Sequence, residues 1–189
     1  MLTGLILAGG RSSRMGRDKA GLTLPDGRTL LQRQADVLRT AGATTVLVSV
    51  RAGDGSQVPG AVMVPDAMPD AGPLAGIAAG LRAAPPGLVA VLAVDMPQIG
   101  EAHLRQLTGL ATESCGVVPV RDGQLEPLVA VYPASLAGSA EASLAGGQRA
   151  VHAWVRREVE QGRLRLWEAP ADWGGALRSW NTPGDLPRR

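Results

Sequence analysis

A short glycine-rich and cationic segment near the start of the chain has the composition of a phosphate-binding loop. Residues 7–19, LAGGRSSRMGRDK, contain three glycines and four cations and continue directly from the apolar run 2–7. Glycines let backbone N–H groups approach phosphate oxygens, and arginine and lysine side chains neutralise phosphate charge. The alternative is a solvated basic loop, which has no need of the paired glycines Gly9 and Gly10 at a strand end. We therefore predict that this segment binds phosphates.

A carboxylate stands at the end of the longest apolar run of the chain. Residues 88–94 read LVAVLAV, and Asp95, Met96 and Pro97 follow. An ionised carboxylate beside a buried strand is costly unless it has a partner, so a bound cation would give Asp95 a physical role. The structural alternative is that Asp95 caps the turn before Pro97. The first interpretation predicts a cation site at Asp95.

Other polar residues are compatible with two interpretations each. Asp66 is either part of the site or a turn-forming aspartate before Pro69, and Asp70 competes with it. Lys19 is either a phosphate ligand or a solvent-exposed lysine, and its place after Met15-Gly16 favours the phosphate role. Which of the three loop arginines faces phosphate stays open; they are Arg11, Arg14 and Arg17.

Two common nucleotide-binding motifs are missing from the sequence. No Gly-x-Gly-x-x-Gly follows the first apolar run, and no Gly-Lys-Ser/Thr closes a P-loop. The sequence therefore disfavours a nicotinamide-dependent enzyme and a P-loop kinase.

The order of apolar runs and helical patterns predicts the fold. Thr29 and Gln32 have the spacing of a capping box, and helical spacing follows from Thr29 to Gly42. Helical spacing is also seen after Pro73 and over 101–110, 135–144 and 148–160. Because strands and helices alternate, we predict one α/β domain over residues 1–189 with a doubly wound, mostly parallel sheet. The predicted strands 115–120 and 125–132 are joined by a turn at 121–124. This hairpin predicts an antiparallel excursion in the second half. The predicted strands are 2–7, 45–50, 61–64, 88–94, 115–120, 125–132 and 163–167.

Composition excludes several classes of partner. The chain of 189 residues has a net charge of +2 and 3% aromatic residues, without the long Lys/Arg run of a nucleic-acid-binding surface. Cys115 is the single cysteine, so neither an internal disulfide nor a cysteine-based zinc site is expected. The longest apolar run is far shorter than the roughly 20 residues of a membrane span, so no membrane partner is expected. Together with the charge and composition, this predicts a cytoplasmic protein without nucleic-acid or membrane partners.

The motifs taken together resemble those of the molybdenum cofactor guanylyltransferases, MobA-type members of the sugar-nucleotidyltransferase-like family. The segment 7–19 matches the opening pattern of that family almost residue for residue. The chain departs from the family at Ser49-Val50-Arg51 and at Ser179-Trp180, where members often carry asparagine. Further matches follow in the family's order: Asp66, Gly72-Pro73-Leu74-Ala75-Gly76, Asp95-Met96-Pro97, Glu126-Pro127-Leu128 and Asn181-Thr182-Pro183.

This resemblance implies a Rossmann-like nucleotidyltransferase fold, with a nucleotide-binding half at 1–100 and an acceptor-binding half at 101–189. It implies that Lys19 and Asp95 are catalytic, that Asp95 binds Mg²⁺ and that Asn181 contacts the acceptor. Leu7, Ala8 and Gly9 would contact guanine through their backbones, and Asp66 would hold the nucleoside end. The implied nucleotide-binding set is Leu7, Ala8, Gly9, Gly10, Lys19, Asp66 and Asp95.

The resemblance also implies a reaction, in which GMP passes from GTP to the phosphate of molybdenum-bearing molybdopterin and pyrophosphate is released. Gly9 favours guanine, because relatives that transfer cytidylate tend to have Leu-Ala-Ala-Gly at this point. The implied protein partners are one that delivers molybdopterin and a target molybdoenzyme. The alternatives are cytidylyl transfer to the same pterin, guanylyl transfer to another small phosphate, and a non-catalytic nucleotide-binding escort.

Overall fold

The computed structural model describes residues 1–8, 23–51, 58–66, 68 and 71–180. Within these residues the chain alternates between strands and helices along most of its length. The strands are β1 (Leu2–Leu7), β2 (Thr45–Val50), β3 (Val62–Pro65), β4 (Leu88–Ala93), β5 (Gly116–Arg121), β6 (Gln124–Leu125), β7 (Val129–Pro133) and β8 (Leu164–Glu168). The helices are α1 (Leu30–Thr40), α2 (Pro73–Ala83), α3 (Glu101–Leu110), α4 (Ala137–Ala145) and α5 (Val151–Glu160).

All eight strands belong to one sheet, in the order β3-β2-β1-β4-β7-β5-β6, with β8 paired to β5. The pairs β1–β2, β1–β4, β2–β3 and β5–β8 are parallel. Strand β7 lies antiparallel between β4 and β5. The predicted α/β fold, mostly parallel with an antiparallel excursion in the second half, is confirmed.

The predicted strand 125–132 is wrong in one respect, because the structure divides it. Strand β6 ends at Leu125, and β7 begins only at Val129. Pro127 lies between them and has no backbone N–H to donate to a neighbouring strand. The hydroxyl of buried Tyr132 instead donates to the Pro127 carbonyl at 2.8 Å. The interruption separates the short β5–β6 hairpin from β7, which pairs with β4.

Helices cover both faces of the sheet, as a doubly wound fold requires. On one face a core cluster joins the strands to the apolar sides of α1 and α3, with Leu38 and Leu107 as fully buried members. On the other face a second cluster includes Ile77 of α2, Leu144 of α4 and Trp154 of α5. Successive residues of β1 and β4 alternate between the two clusters, which is the period-2 pattern of a strand buried on both faces.

The helix boundaries agree with the predictions at the start of α1 and differ at α5. Gln32 donates its backbone N–H to the Thr29 hydroxyl at 3.1 Å, and the Gln32 side chain accepts from the Thr29 N–H at 2.9 Å, which forms the predicted capping box. Helix α5 begins at Val151 rather than at Gln148. The Gln148 side chain accepts from the Ala150 N–H at 2.9 Å and closes a turn before the helix. In the described part of the chain, every helix is too short or too polar to cross a membrane.

Candidate active site

The carboxyl ends of β1, β2 and β4 meet at one edge of the sheet. Leu7 at the end of β1 pairs with Ala93 at the end of β4. The Val94 N–H donates to the Leu7 carbonyl at 3.2 Å, and the Ala8 N–H donates to the Ser49 carbonyl at 3.2 Å. The structure therefore brings Leu7 and Ala8 beside the turn that carries Asp95, as the position of these residues at strand ends predicts.

Several predicted site residues lie outside the described part of the chain. The phosphate-binding segment is described only as far as Ala8, and the C-terminal segment only as far as Trp180. The roles of all the predicted site residues stay predictions. Those outside the described part of the chain are Gly9, Gly10, Arg11, Arg14, Arg17, Lys19, Asp70 and Asn181.

Asp66 is held at the same edge by the end of β2. Its backbone N–H donates to the Val50 carbonyl at 2.9 Å, and its Oδ1 accepts from the Ser49 hydroxyl at 2.5 Å. Burial raises the pKa of the half-buried Asp66 carboxyl, and the Ser49 hydrogen bond and the charge of Arg51 oppose that increase. The hydrogen bond to the Asp66 side chain thus comes from β2, the neighbour of the strand that Asp66 follows.

Ser49 is a site-edge residue to which the sequence analysis assigned no role. It lies near the end of β2, and its hydroxyl orients the Asp66 carboxylate. A polar side chain in the otherwise apolar run of β2, TVLVSV, was the available signal. Such a signal is weak, because a serine hydroxyl can also satisfy a purely structural hydrogen bond.

The glycines of the Gly72–Gly76 motif allow α2 to begin and to pack closely against the carboxyl ends of β1 and β2. Gly72 precedes α2 with a φ of 76°, a backbone conformation that favours glycine, and Pro73 begins the helix. A Cβ at Gly76 would lie 2.4 Å from the Ser49 Oγ and 3.1 Å from the Leu7 Cδ2. Helix α2 therefore approaches β1 and β2 closely where these strands deliver Leu7 and Ser49.

We expect Gly76→Ala to disturb the hydrogen bond that positions the Asp66 side chain. We also expect it to lower the free energy of unfolding by about 1–3 kcal/mol, because the added methyl overpacks the contact with Ser49. The Ser49 hydroxyl must rotate or move away and lose its bond to Asp66. Urea unfolding measures the stability change, and nucleotide titration measures the effect on the site. Gly109→Ala is the matched control, because the Cβ position at Gly109 is open outside its own helix. This control should gain up to about 1 kcal/mol, and equal losses in both variants would contradict the packing argument.

The turn that carries Asp95 is held from the side of α1. Gln34, fully buried, donates from its Nε2 to the carbonyls of Ala93 and Met96, at 3.2 Å and 2.9 Å. Both bonds go to backbone atoms on either side of the half-buried Asp95. The sequence signal for Gln34 is a polar residue on the face of α1 that also carries Leu31, Ala35 and Leu38. Sequence analysis missed this residue, because the backbone that Gln34 binds is about 60 residues away.

The C-terminal segment returns to the same turn. Trp173 is buried against the core, and its indole Nε1 donates to Gln106 on α3 at 3.3 Å. Further along, the Trp180 backbone N–H donates to the Asp95 carbonyl at 2.8 Å, and the Trp180 side chain packs against the core cluster. The C-terminal segment therefore contacts the Asp95 turn through Trp180.

The donor set suits a metal ion that arrives with phosphate ligands. Over the described ranges, no group of three or more His, Cys, Asp or Glu side chains is placed to hold a metal by itself. Mg²⁺ is commonly bound by one or two carboxylates together with water and substrate phosphates. The half-buried carboxylate of Asp95, in the turn after β4, fits that arrangement.

The sequence model of the MobA-like NTP transferase domain matches residues 4–162. The chain belongs to this family. A MobA-like NTP transferase is a nucleotidyltransferase, and enzymes of this kind generally use a divalent metal ion.

Two named relatives cover nearly the whole of this MobA-like chain. A protein of Opitutus terrae named "Probable molybdenum cofactor guanylyltransferase" is 41% identical over 190 residues, covering 99% of this chain and 94% of the relative. A protein of Mycobacterium marinum with the same name is 36% identical over 193 residues, covering 98% and 92%. The likeness is therefore not confined to the N-terminal motif.

Solved structures show the same MobA-like architecture. The molybdopterin-guanine dinucleotide biosynthesis protein A of Archaeoglobus fulgidus superposes with a TM-score of 0.75 at 25% identity, covering 97% of this chain and 94% of that one. A nucleotidyl transferase from Methanothermobacter superposes with a TM-score of 0.76 at 22% identity, covering 98% and 94%. The second likeness is one of fold.

Proposed function

We propose that this MobA-like transferase moves GMP from GTP to the terminal phosphate of molybdenum-bearing molybdopterin. The observation that carries the proposal is 41% identity, over 99% of the chain, to a relative named as a molybdenum cofactor guanylyltransferase. An oxygen of the pterin phosphate attacks the α-phosphorus of GTP, and the bond from that phosphorus to the oxygen bridging to the β-phosphate breaks. The products are molybdopterin guanine dinucleotide and pyrophosphate.

In this proposal the nucleotide lies over the strands of residues 1–100, and the acceptor lies toward residues 101–189. The backbones of Leu7, Ala8 and Gly9 contact guanine, and Asp66 holds the nucleoside end. The described contacts support these roles for Ala8 and Asp66, because both are fixed by hydrogen bonds at the carboxyl edge. Gly10 contributes to the loop around the phosphates, and Asn181 contacts the acceptor.

Catalysis in this proposal consists of positioning and charge neutralisation, because phosphoryl transfer requires little covalent work from the protein. Lys19 neutralises phosphate charge through its ammonium group. Asp95 holds Mg²⁺, which when bound would neutralise the phosphates and orient them for in-line attack. The buried amide of Gln34 keeps the Asp95 backbone in place for this task.

The proposed partners follow from the substrates. We propose GTP and molybdopterin as the small-molecule partners, with a protein that delivers molybdopterin and a target molybdoenzyme on either side of the reaction. The transfer of GMP would take place in the cytoplasm, where GTP is present. A net charge of only +2 supports the absence of a nucleic-acid partner.

We expect GTP to bind at least about tenfold more tightly than CTP or ATP in titration calorimetry with Mg²⁺, because the base-specific contacts would be lost with the wrong base. Pyrophosphate release in the presence of molybdopterin should occur with GTP only. A preference for CTP would replace the proposal with cytidylyl transfer. Tight GTP binding without pyrophosphate release, in the presence of molybdopterin, would instead support the escort function.

A further inference from the structure

Glu126 lies at the carboxyl edge of the sheet, on the side of β4 opposite to β1. It belongs to the connection between β6 and β7, and β7 pairs antiparallel with β4. The Ala93 N–H at the end of β4 donates to the Leu128 carbonyl at 2.9 Å. Residues 126–128 therefore run beside the end of the strand that Asp95 follows.

The backbone at Glu126 is fixed on both sides. The Glu126 N–H donates to the Pro119 carbonyl at 2.8 Å, and its own carbonyl accepts from the Val129 N–H at 3.2 Å. The next carbonyl, that of Pro127, accepts a hydrogen bond from the buried Tyr132 hydroxyl. With buried Leu125 and Pro127 as its neighbours, Glu126 stands on a rigid support of the kind that ligand-binding residues require.

Among the residues that the structure describes, the Glu126 side chain has no partner that accounts for its charge. It is half-buried, and no hydrogen-bond donor or cation among the described residues contacts its carboxylate. Burial alone raises the pKa of this carboxyl above its usual value of 4.5. Because a partly desolvated carboxylate without a donor is unfavourable, a bound ligand with N–H donors would offset that cost.

The strand order assigns Glu126 to one side of the site. Asp66 follows β3, which is three strands from β4, or about 14 Å at the usual strand spacing. Glu126 precedes β7, which is the immediate neighbour of β4 on the other side, about 5 Å away. A nucleotide lying from Asp66 toward Asp95 would leave Glu126 beyond its phosphates, where the acceptor must approach.

We propose that Glu126 binds the acceptor pterin, its carboxylate accepting hydrogen bonds from the ring N–H and the exocyclic amino group of the pyrimidinone edge. This inference rests on the proposed function, in which a pterin phosphate is the acceptor. Guanine has the same pair of donors, and the position of Glu126 beyond β4 favours the pterin. A carboxylate matches two adjacent N–H donors with both oxygens, and such charge-assisted pairs are the strong ones.

We expect Glu126→Gln to weaken pterin binding by about 10- to 100-fold, because its amide nitrogen would face an N–H donor of the ligand. The probe is (pterin-6-yl)methyl phosphate, a fluorescent pterin that carries a phosphate, titrated against wild-type and variant protein. Affinity for GTP with Mg²⁺ should change by less than about twofold, because the nucleotide lies on the other side of β4. Glu126→Asp, which keeps the charge, should recover part of the pterin affinity. Glu160→Gln, an exposed glutamate at the end of α5, is the matched control and should bind like the wild type.

The stability of the ligand-free variant distinguishes lost binding from lost structure. Because the folded pKa of Glu126 is raised, the ionised carboxylate destabilises the folded state at neutral pH. Glu126→Gln should therefore melt at the same or a higher temperature than the wild type at neutral pH. The difference should shrink as the pH falls through the raised pKa of Glu126 toward the usual value of 4.5, because the wild-type carboxyl becomes protonated in the folded state.

Each outcome bears on the proposal separately from the reaction. A wild-type protein that binds the pterin phosphate but transfers no GMP to molybdopterin would contradict the proposed function, and the variant comparison would still decide the role of Glu126. Equal pterin affinity in Glu126→Gln and wild type would overturn the role of Glu126. So would a loss of GTP affinity as large as the loss of pterin affinity, or a wild type that does not bind the probe.

Discussion

Replacing Asp95 with asparagine should lower kcat for GMP transfer by about a thousandfold, which is typical of losing one charged group at a site of electrostatic stabilisation. Asparagine has nearly the same shape as aspartate but does not carry the charge that would hold Mg²⁺ against the phosphates. The turn should persist in the variant, because Gln34 and Trp180 bind backbone atoms of this turn. The result would be an inactive protein with a native fold.

Pyrophosphate release with GTP, Mg²⁺ and molybdopterin measures kcat, and the melting temperature measures the fold. Asp172→Asn is the matched control, because Asp172 is an exposed aspartate in the short helical turn Ala171–Trp173. The control should keep wild-type turnover. Near wild-type turnover in Asp95→Asn would refute the assignment of Asp95 as the metal-binding residue.

Glu158→Ala should lower the free energy of unfolding by about 2–3 kcal/mol, because a buried carboxylate that accepts a hydrogen bond is lost while its two arginine partners, 42% and 43% exposed, stay solvated. Glu158 on α5 is fully buried, and its Oε2 lies 2.6 Å from an Nη of Arg163. Its Oε1 accepts from the Ser139 hydroxyl of α4 and lies 3.8 Å from the Nε of Arg157. The carboxylate thus joins α4, α5 and the start of β8, and its removal leaves polar groups without an acceptor.

Urea unfolding followed by circular dichroism measures this loss. Glu141→Ala is the control, because Glu141 pairs with Arg82 at the surface, where Arg82 is 63% exposed and the pair is screened by water. We expect a much smaller loss for the control. Equal midpoints for the two variants would show that the buried pair contributes no more than the exposed one.

The parts of the site that local sequence determined are those that depend on neighbouring residues along the chain. The apolar run 88–94 predicted a buried strand, and Asp95 necessarily follows its end. The spacing of Thr29 and Gln32 predicted the capping box that begins α1. Strand ends, glycine turns and helix caps are short-range features, so a single sequence expresses them directly.

Tertiary structure alone decided which of these segments meet. Gln34 reaches the Asp95 turn across about 60 residues, and Trp180 reaches it from the C-terminal segment. The position of β7 beside β4, which places Glu126 near the carboxyl end of β4, depends on an antiparallel insertion that a hydrophobic pattern does not specify. Side-chain periodicity reports which face of an element is buried, but it contains no information on the distant partner that buries it. Long-range packing therefore brought together, at the carboxyl end of β4, segments that the sequence predicts separately.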